Sequence, residues 1–301
     1  MEIGMVGLGK MGGSMAERLL RAGHSVVGYA LDVQKIQEFA GKGGVGAHSL
    51  DELVSSLSPR RAVWLMIPAG EPVEDVIREL TDLLDDGDII IDGGNSHYRD
   101  TIRRSRMLGE SGLHLLDVGT SGGIWGLKDG YCMMVGGDEE VIEHVRPALE
   151  ALAPGPDRGW GRVGPPGSGH FVKMVHNGIE YGLMQAYAEG FSILRAKEDL
   201  GLDLVSIAEI WRHGSVIRSW LLDLAAKALV ENPDLEEVSP FVGDSGEGRW
   251  AVAEAIDLDV SAPVMSLSLL QRLRSRDGEG FSDRIVSSLR NQFGGHDIMR
   301  E

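Results

Sequence analysis

A glycine-rich turn near the start of the chain places the strongest constraint on its fold. Residues 2–7 form an apolar run typical of a strand, and residues 11–22 have helical periodicity. The turn that joins these two segments matches the pattern G-x-G-x-x-G, with its glycines at Gly7, Gly9 and Gly12. In a strand–turn–helix unit the first glycine permits the turn, the second lets backbone approach a pyrophosphate, and the third allows close contact between helix and strand. The pattern predicts a dinucleotide-binding domain, with a merely tight turn as the alternative.

More strands of the same kind follow. Apolar runs predict strands at residues 25–29, 62–67, 88–92, 113–118 and 131–135. A helical pattern at 73–84 separates two of them. Continuous apolar runs that alternate with helices are typical of a parallel sheet covered on both faces. We therefore predict an α/β fold that begins with a Rossmann-type, doubly wound parallel sheet.

The composition changes near the middle of the chain. Residues 153–169 hold the densest run of Pro and Gly, which is typical of an interdomain segment. Beyond them the strand signals disappear, and helical patterns cover residues 170–198, 203–213, 215–230, 248–256, 263–274 and 281–293. We predict a dinucleotide-binding Rossmann domain at 1–164, followed by an all-helical substrate and oligomerisation domain at 165–301.

Composition excludes several classes of protein. The net charge of −17 argues against a nucleic-acid partner. The chain has no apolar run of 18 residues, so a membrane span is not expected, and its first residues resemble a strand and not a signal peptide. The one cysteine, Cys132, is expected to be a small buried hydrophobe in a strand. One cysteine offers no metal cluster, and it fits the reducing cytoplasm.

A polar stripe in the predicted helix 170–198 is the strongest sign of chemistry. Its members recur at spacings of three and four residues, which stack side chains on one helix face: Lys173, His176, Asn177, Glu180 and Tyr181. A buried lysine and glutamate cost several kcal/mol unless they are paired or neutralised. The apolar residues around the stripe leave little room for another exposed face. We therefore favour proton-transfer groups over a solvated polar face.

The choice of cofactor depends on the residues that follow the second strand. Asp32 lies twenty residues after Gly12, where a carboxylate would bind the ribose hydroxyls of NAD. Residues 28–34 contain no Arg or Lys to meet a 2′-phosphate, and Lys35 is the nearest cation. The sequence favours NAD and leaves NADP possible.

Several segments together resemble the decarboxylating 6-phosphogluconate dehydrogenases in their short form. The glycine turn, Thr120–Gly123 and the helix with Lys173 are shared with the wider β-hydroxyacid dehydrogenase superfamily. Three further segments narrow the resemblance: the substrate loop Asp92–Thr101, the helix segment His176–Gly182 and the tail Arg290–His296. The resemblance runs the length of the chain. It implies oxidation and decarboxylation of 6-phospho-D-gluconate to D-ribulose 5-phosphate, a step of the pentose phosphate pathway.

The resemblance also implies roles for single residues. Lys173 would be the general base for the 3-hydroxyl, and Glu180 the acid that protonates C1 after carbon dioxide leaves. The substrate's carboxylate and hydroxyls would be held by Asn95, Ser121, Gly122, Gly123, His176 and Asn177. Its phosphate would be held by Tyr181, Arg290 and His296, the last two from a neighbouring subunit in the long enzymes. The residues expected to hold the cofactor are Gly7, Gly9, Lys10, Met11, Gly12, Asp32, Pro68 and Asn95. No metal is implied.

The chain departs from the family pattern at two sites. Short NAD-using members usually have Asp where this chain has Ala30, and long NADP-using members have Arg where it has Leu31. A phosphate-binding Lys of the long enzymes falls on Ser245. We expect Arg249 or Arg284 to supply the positive charge that this Lys provides in the long enzymes.

Parts of this sequence are also compatible with two other functions. A relative acting on a small β-hydroxyacid such as 3-hydroxyisobutyrate would keep Lys173 and Asn177 but would not need Glu180. A catalytically silent dinucleotide-binding sensor could have lost Lys173 or Asn95, and both are present. The expected partners are 6-phosphogluconate and a second copy of the chain, in a homodimer or homotetramer.

Overall fold

The computed structural model describes residues 1–294 and 297–299. It divides into two compact units, an N-terminal unit of Met1–His176 and a C-terminal unit that begins at Asn177. The predicted domain boundary after residue 164 stays a prediction. Within the described residues, no helix is both long and apolar enough to cross a membrane.

An eight-stranded sheet organises the N-terminal unit, in the order β3-β2-β1-β4-β5-β6-β7-β8. The strands are β1 (Glu2–Val6), β2 (Ser25–Tyr29), β3 (Val45–Ala47), β4 (Ala62–Leu65), β5 (Ile89–Asp92), β6 (His114–Ser121), β7 (Cys132–Gly136) and β8 (Trp160–Gly164). The pairs from β3 to β6 are parallel, which confirms the predicted doubly wound sheet. The strand predicted at 131–135 instead runs antiparallel to β6.

Helices cover both faces of this sheet. They are α1 (Lys10–Arg21), α2 (Val33–Ala40), α3 (Leu50–Ser55), α4 (Glu71–Leu83), α5 (Tyr98–Glu110), α6 (Gly126–Asp129) and α7 (Glu139–Leu152). Two buried apolar clusters lie on the two faces: Ile89 and Ile91 belong to one, and Ile90 to the other. Because successive strand residues point to opposite faces, an unbroken apolar run fills both clusters.

The sequence predicts an interdomain segment at 153–169, but part of this Pro/Gly segment is a strand. It contains β8, which pairs with β7 at the edge of the sheet. The glycines at 161 and 164 hide this strand from a periodicity analysis, because they supply no apolar side chain to the pattern. Strand β3 has only three residues, too few for a periodic signal in the sequence.

The C-terminal unit is helical, as predicted. Its elements are the later part of α8 (Ser168–Ala196), then α9 (Leu204–Arg212), α10 (Trp220–Glu231), α11 (Glu247–Asp257), α12 (Pro263–Arg274) and α13 (Phe281–Gly294). The predicted bounds agree closely except at the start of α10. The predicted start at residue 215 is too early, because the Ser219 side chain caps the helix by accepting from Leu222 N–H.

Candidate active site

The glycine turn has the geometry that its pattern predicts. Gly7 has φ +98°, and a Cβ there would lie 2.4 Å from the Met66 carbonyl oxygen. A Cβ on Gly12 would lie 1.9 Å from the Gly7 carbonyl oxygen, so helix and strand touch there. A Cβ on Gly9 would meet nothing within 4 Å. The turn thus leaves open space beside Gly9 at the N-terminus of α1, where unpaired N–H groups suit a pyrophosphate.

Three more of the residues predicted to bind the cofactor lie in the first turn of α1 and after β4. Lys10 is exposed and Met11 is half-buried, and both belong to the first turn of α1. Pro68 is exposed in the connection between β4 and α4.

Asp32 has a structural role that the sequence did not reveal. It is the N-cap of α2, and its Oδ1 accepts from Gln34 N–H at 2.9 Å. The carboxylate is exposed, and Leu31 beside it is 94% exposed. Lys35 is paired with Glu38 at 3.1 Å. The charge next to the end of β2 is therefore negative and is held in place by the cap.

The substrate loop after β5 is organised by a buried carboxylate. Asp92 accepts from Gly94 N–H at 3.0 Å and from the Ser96 hydroxyl at 2.7 Å. The guanidinium of Arg104, also fully buried, lies 3.3 Å from the same carboxylate. Asn95 within this loop has φ +54°, a left-handed conformation that asparagine tolerates better than most residues. The loop conformation is thus fixed by groups that are sealed from water.

Asn95 joins the substrate loop to the end of β6. Its Oδ1 accepts from Thr120 N–H at 3.1 Å. Ser121 ends β6 and is half-buried, Gly122 has φ +134°, and Gly123 has φ +52° with open space at its Cβ position. Two predicted substrate segments therefore lie side by side.

Lys173 lies on α8 in direct contact with β6. Its side chain is buried, with only 5% of the residue exposed. A Cβ on Gly119 of β6 would lie 2.4 Å from the Lys173 Cβ. The glycine is therefore required for the lysine stem to lie against the strand.

The rest of the polar stripe is less buried than the sequence suggested. Tyr181 is buried, whereas His176, Asn177 and Glu180 are half-buried. The apolar residues of α8 do not fill every other direction either, since Ile179 and Leu183 are 54% and 46% exposed. The expectation of little other exposed surface on this helix was wrong.

Tyr181 lies in a cluster of the C-terminal unit. The Arg272 guanidinium stacks on its ring, 3.5 Å from the centroid. A Cβ on Gly248 would lie 2.3 Å from the tyrosine ring, so only glycine lets α11 pack against it. Burial raises the pKa of the Tyr181 hydroxyl, and the nearby Arg272 charge opposes that shift. The hydroxyl is thus a neutral hydrogen-bonding group at ordinary pH.

Arg272 was not singled out from the sequence. Its Nη1 donates to the Gly243 carbonyl at 2.9 Å, which fixes the side chain over Tyr181. An arginine in the last turn of a predicted helix gives no sequence signal of its own. Only the fold brings it to the tyrosine.

The two arginines proposed to replace the missing lysine are placed differently from Arg272. Both side-chain oxygens of Asp244 accept from Arg249, at 3.1 and 3.2 Å, and Arg276 approaches the same carboxylate at 2.6 Å. Arg284 is exposed on α13, as is Arg290. Ser245 donates its hydroxyl to Glu247. His296 lies outside the described residues.

One smaller expectation needs correction. Cys132 is exposed, not buried, because it opens β7 opposite Ser121 at the end of the ladder. Among residues 1–294 and 297–299, no group of three or more His, Cys, Asp or Glu side chains could hold a metal ion.

Comparison with known proteins decides the family. A model of the NAD binding domain of 6-phosphogluconate dehydrogenase matches residues 2–161, and a model of the C-terminal domain of that enzyme matches residues 169–282. The chain belongs to the 6-phosphogluconate dehydrogenase family. The resemblance seen in the substrate loop and the α8 segment is thereby confirmed, and so is the fold class.

Named relatives within this family differ in length and cofactor. An NAD⁺-dependent, decarboxylating 6-phosphogluconate dehydrogenase of Haloferax volcanii is 42% identical over 100% of this chain and 99% of its own length. An NADP⁺-dependent, decarboxylating enzyme of Bacillus subtilis is 39% identical over 91% of this chain but 61% of its own length. The solved 6-phosphogluconate dehydrogenase of Plasmodium falciparum superposes with a TM-score of 0.85 at 29% identity, over 100% of this chain and 66% of that one.

Proposed function

We propose that this chain is an NAD(P)-dependent enzyme that converts 6-phospho-D-gluconate to D-ribulose 5-phosphate and carbon dioxide. The observation that carries the proposal is the buried Lys173 held against the same strand that ends in the Ser121 loop. Relatives named as decarboxylating 6-phosphogluconate dehydrogenases, one of nearly equal length, support it.

The first chemical step uses Lys173. Its neutral amine takes the proton of the 3-hydroxyl as C3 is oxidised. A nicotinamide cofactor held by the glycine turn of Gly7, Gly9 and Gly12 would supply the acceptor for the hydride of C3. The resulting ammonium of Lys173 then polarises the 3-keto oxygen, so that the C1–C2 bond can break and release carbon dioxide without a metal. Asn95 and the Ser121–Gly123 backbone hold the carboxylate and hydroxyls during these steps.

The second chemical step uses Glu180. After carbon dioxide leaves, the enediol needs a proton on the carbon that becomes C1 of the product. Glu180 lies seven residues after Lys173 on α8, two helical turns along the same helix. It supplies that proton as a general acid, while His176 and Asn177 hold hydroxyl groups.

The phosphate of the substrate is assigned to the Tyr181 cluster. The Arg272 charge is fixed over the tyrosine ring, whereas Arg249 is already engaged by Asp244. We therefore assign to Arg272, and not to Arg249, the charge that Lys supplies in long relatives. Arg290 on α13 and His296 complete this assignment, from a second copy of the chain.

NAD is the proposed preferred cofactor. The exposed carboxylate of Asp32, fixed by its capping bond, would repel the 2′-phosphate of NADP. Relatives of both cofactor types are similarly identical to this chain, so overall similarity does not separate them.

Self-association and location are also proposed. The C-terminal unit exposes apolar side chains on several helices, among them Ile256, Val264 and Leu267. Apolar surface of this extent is typical of an interface with a second copy. We place the enzyme in the cytoplasm, which its single cysteine supports.

A substrate panel tests the proposed activity. Purified protein is incubated with NAD and either 6-phosphogluconate, unphosphorylated gluconate or 3-hydroxyisobutyrate, and reduced nicotinamide is followed at equal concentrations. We expect turnover of 6-phosphogluconate to exceed that of the other acids by orders of magnitude. Turnover of 3-hydroxyisobutyrate with none of 6-phosphogluconate would favour the small-hydroxyacid alternative.

A further inference from the structure

Strand β6 carries a second buried carboxylate that the proposed chemistry does not use. Asp117 is fully buried. Its Oδ1 accepts from Gly167 N–H at 2.7 Å, and its Oδ2 accepts from His170 N–H at 2.8 Å. Gly167 directly precedes α8, and His170 is the third residue of that helix. These two N–H groups are among those that every helix leaves unpaired at its start.

The sequence around the start of α8 offers no local cap for these groups. A capping box would satisfy the same two donors with a Ser or Thr before the helix and a Glu or Gln at its third position. This chain has Gly167 and His170 at those positions. A single carboxylate from β6 therefore accepts both of the hydrogen bonds that the two side chains of a capping box would accept. Its negative charge lies at the positive end of the helix dipole.

The same face of β6 also positions the lysine. Side chains alternate along a strand, so residues 117 and 119 point to one face. At Gly119 a Cβ would lie 2.4 Å from the Lys173 Cβ and 2.7 Å from the Gly169 carbonyl oxygen. A Cβ on Gly169 would in turn lie 2.5 Å from the Asp117 carbonyl oxygen. Helix and strand are thus in direct contact from the cap to the lysine.

We propose that Asp117 is a positioning residue, which fixes Lys173 by anchoring the first turn of α8 to β6. Lys173 lies one helical turn after His170, and β6 continues from Asp117 to Ser121. One strand therefore fixes both the lysine and the loop that is to hold the substrate. The proposal rests on the proposed function, because its effect is a loss of alignment between Lys173 and the 3-hydroxyl.

His170 strengthens this anchor from the other side. Its Nε2 lies 3.1 Å from the Asp92 carbonyl oxygen, and its Nδ1 lies 2.8 Å from the Thr101 hydroxyl. A carbonyl can only accept, so Nε2 carries the proton. The first turn of α8 is therefore tied to the substrate loop as well as to β6.

The test compares Asp117→Asn with Asp88→Asn. Asp88 is also buried and accepts from two backbone N–H groups, those of Arg61 and Asp85, but it lies at the opposite end of β5 from the substrate loop. Since misplacement by about 1 Å can lower a rate by about 10²-fold, we expect kcat with 6-phosphogluconate to fall at least about tenfold in Asp117→Asn. The KM for NAD should stay close to the wild-type value, and Asp88→Asn should keep its kcat. An unchanged kcat in Asp117→Asn, or an equal fall in both variants, would overturn the proposal.

A second pair of variants provides a test if Asp117→Asn does not fold. Gly119→Ala adds a methyl group against Lys173, whereas Gly4→Ala adds one that would lie 2.6 Å from the flexible end of Leu53. We expect kcat to fall in Gly119→Ala and not in Gly4→Ala, and equal values would count against the proposal. If the wild type does not oxidise 6-phosphogluconate, the proposed function fails by itself. In that case, hydrogen exchange of the His170 amide still tests whether Asp117 caps α8. Among these variants, only Asp117→Asn should increase the exchange rate.

Discussion

The two units of this chain differ in how completely they bury their apolar residues. The N-terminal unit fills two apolar clusters on the faces of its sheet. The buried cluster of the C-terminal unit, among its described residues, consists of Ala208, Ala226 and Leu229. Many of its larger apolar side chains are exposed instead, with Ile256 at 72%. The first unit thus encloses its own apolar core, whereas the described residues of the second leave many large apolar side chains exposed.

The side chains of the proposed site also differ in how they are positioned. In the N-terminal unit, Asp92, Asn95 and Lys173 are held by bonds and contacts made within that unit. In the C-terminal unit, the phosphate assignment includes Arg290 on an exposed helix face. The proposed groups of the N-terminal unit are thus positioned within one chain, whereas the proposed phosphate site includes a residue assigned to a second copy.

The largest expected effect concerns the two proposed proton carriers, one in each unit. Lys173→Met should lower kcat by about 10²–10⁴-fold, because the 3-hydroxyl loses its base. Glu180→Gln should leave the formation of reduced nicotinamide closer to wild type and impair protonation of the enediol. Single-turnover measurement of reduced nicotinamide and ribulose 5-phosphate separates the two steps. Small and equal effects of both variants would contradict the assigned roles.

The next effect concerns the phosphate charge in the C-terminal unit. Arg272→Ala should raise the KM for 6-phosphogluconate about 10- to 100-fold, since a charged hydrogen bond contributes about 1.5–3 kcal/mol. The KM for NAD should stay constant. Arg274→Ala is the matched control, because Arg274 lies two residues along α12 and is paired with Asp283. Equal changes in both variants would remove Arg272 from the phosphate site.

A smaller effect tests the proposed interface between two copies of the chain. Leu267 is 60% exposed on α12, and Met107 is 43% exposed on α5 of the N-terminal unit. Burying a leucine contributes about 1.5–3 kcal/mol, so Leu267→Asp should weaken self-association at least about tenfold. Met107→Asp should leave it unchanged. Light scattering over a dilution series measures both, and a monomeric wild type would refute the interface.

The smallest expected effect concerns cofactor choice. Asp32→Ala should narrow the ratio of kcat/KM for NAD over NADP by about fivefold, the value of one charge contact of about 1 kcal/mol in water. The variant also loses a helix cap. Asp203→Ala is a matched control for that loss, because Asp203 caps α9 through the same kind of bond, to Val205 N–H at 3.0 Å. A wild-type preference for NADP would contradict the assignment of Asp32.

Local patterns predicted those parts of the molecule that depend on neighbours in sequence. The glycine turn, the apolar strands and most helices of the C-terminal unit belong to this class, because their signals repeat within a few residues. Helical spacing also placed Lys173 and Tyr181 on one stripe of a helix, whereas their proposed roles come from the family resemblance.

Contacts between distant segments could not be predicted from such patterns. Arg272 reaches Tyr181 from 91 residues further along the chain, and Asp117 caps a helix that starts 51 residues later. Strand β8 was missed because its glycines carry no apolar signal. The exposure of Cys132 depends on where β7 begins, which is decided by pairing with β6.

The most direct test of the central claim is the stoichiometry of a single turnover. Enzyme in excess is mixed with 6-phosphogluconate labelled at C1 and with NAD, and reduced nicotinamide and labelled carbon dioxide are measured in the same sample. The account predicts one carbon dioxide for each reduced nicotinamide, with ribulose 5-phosphate as the remaining product. Reduced nicotinamide without carbon dioxide, or no reaction of a folded and NAD-bound protein, would contradict it.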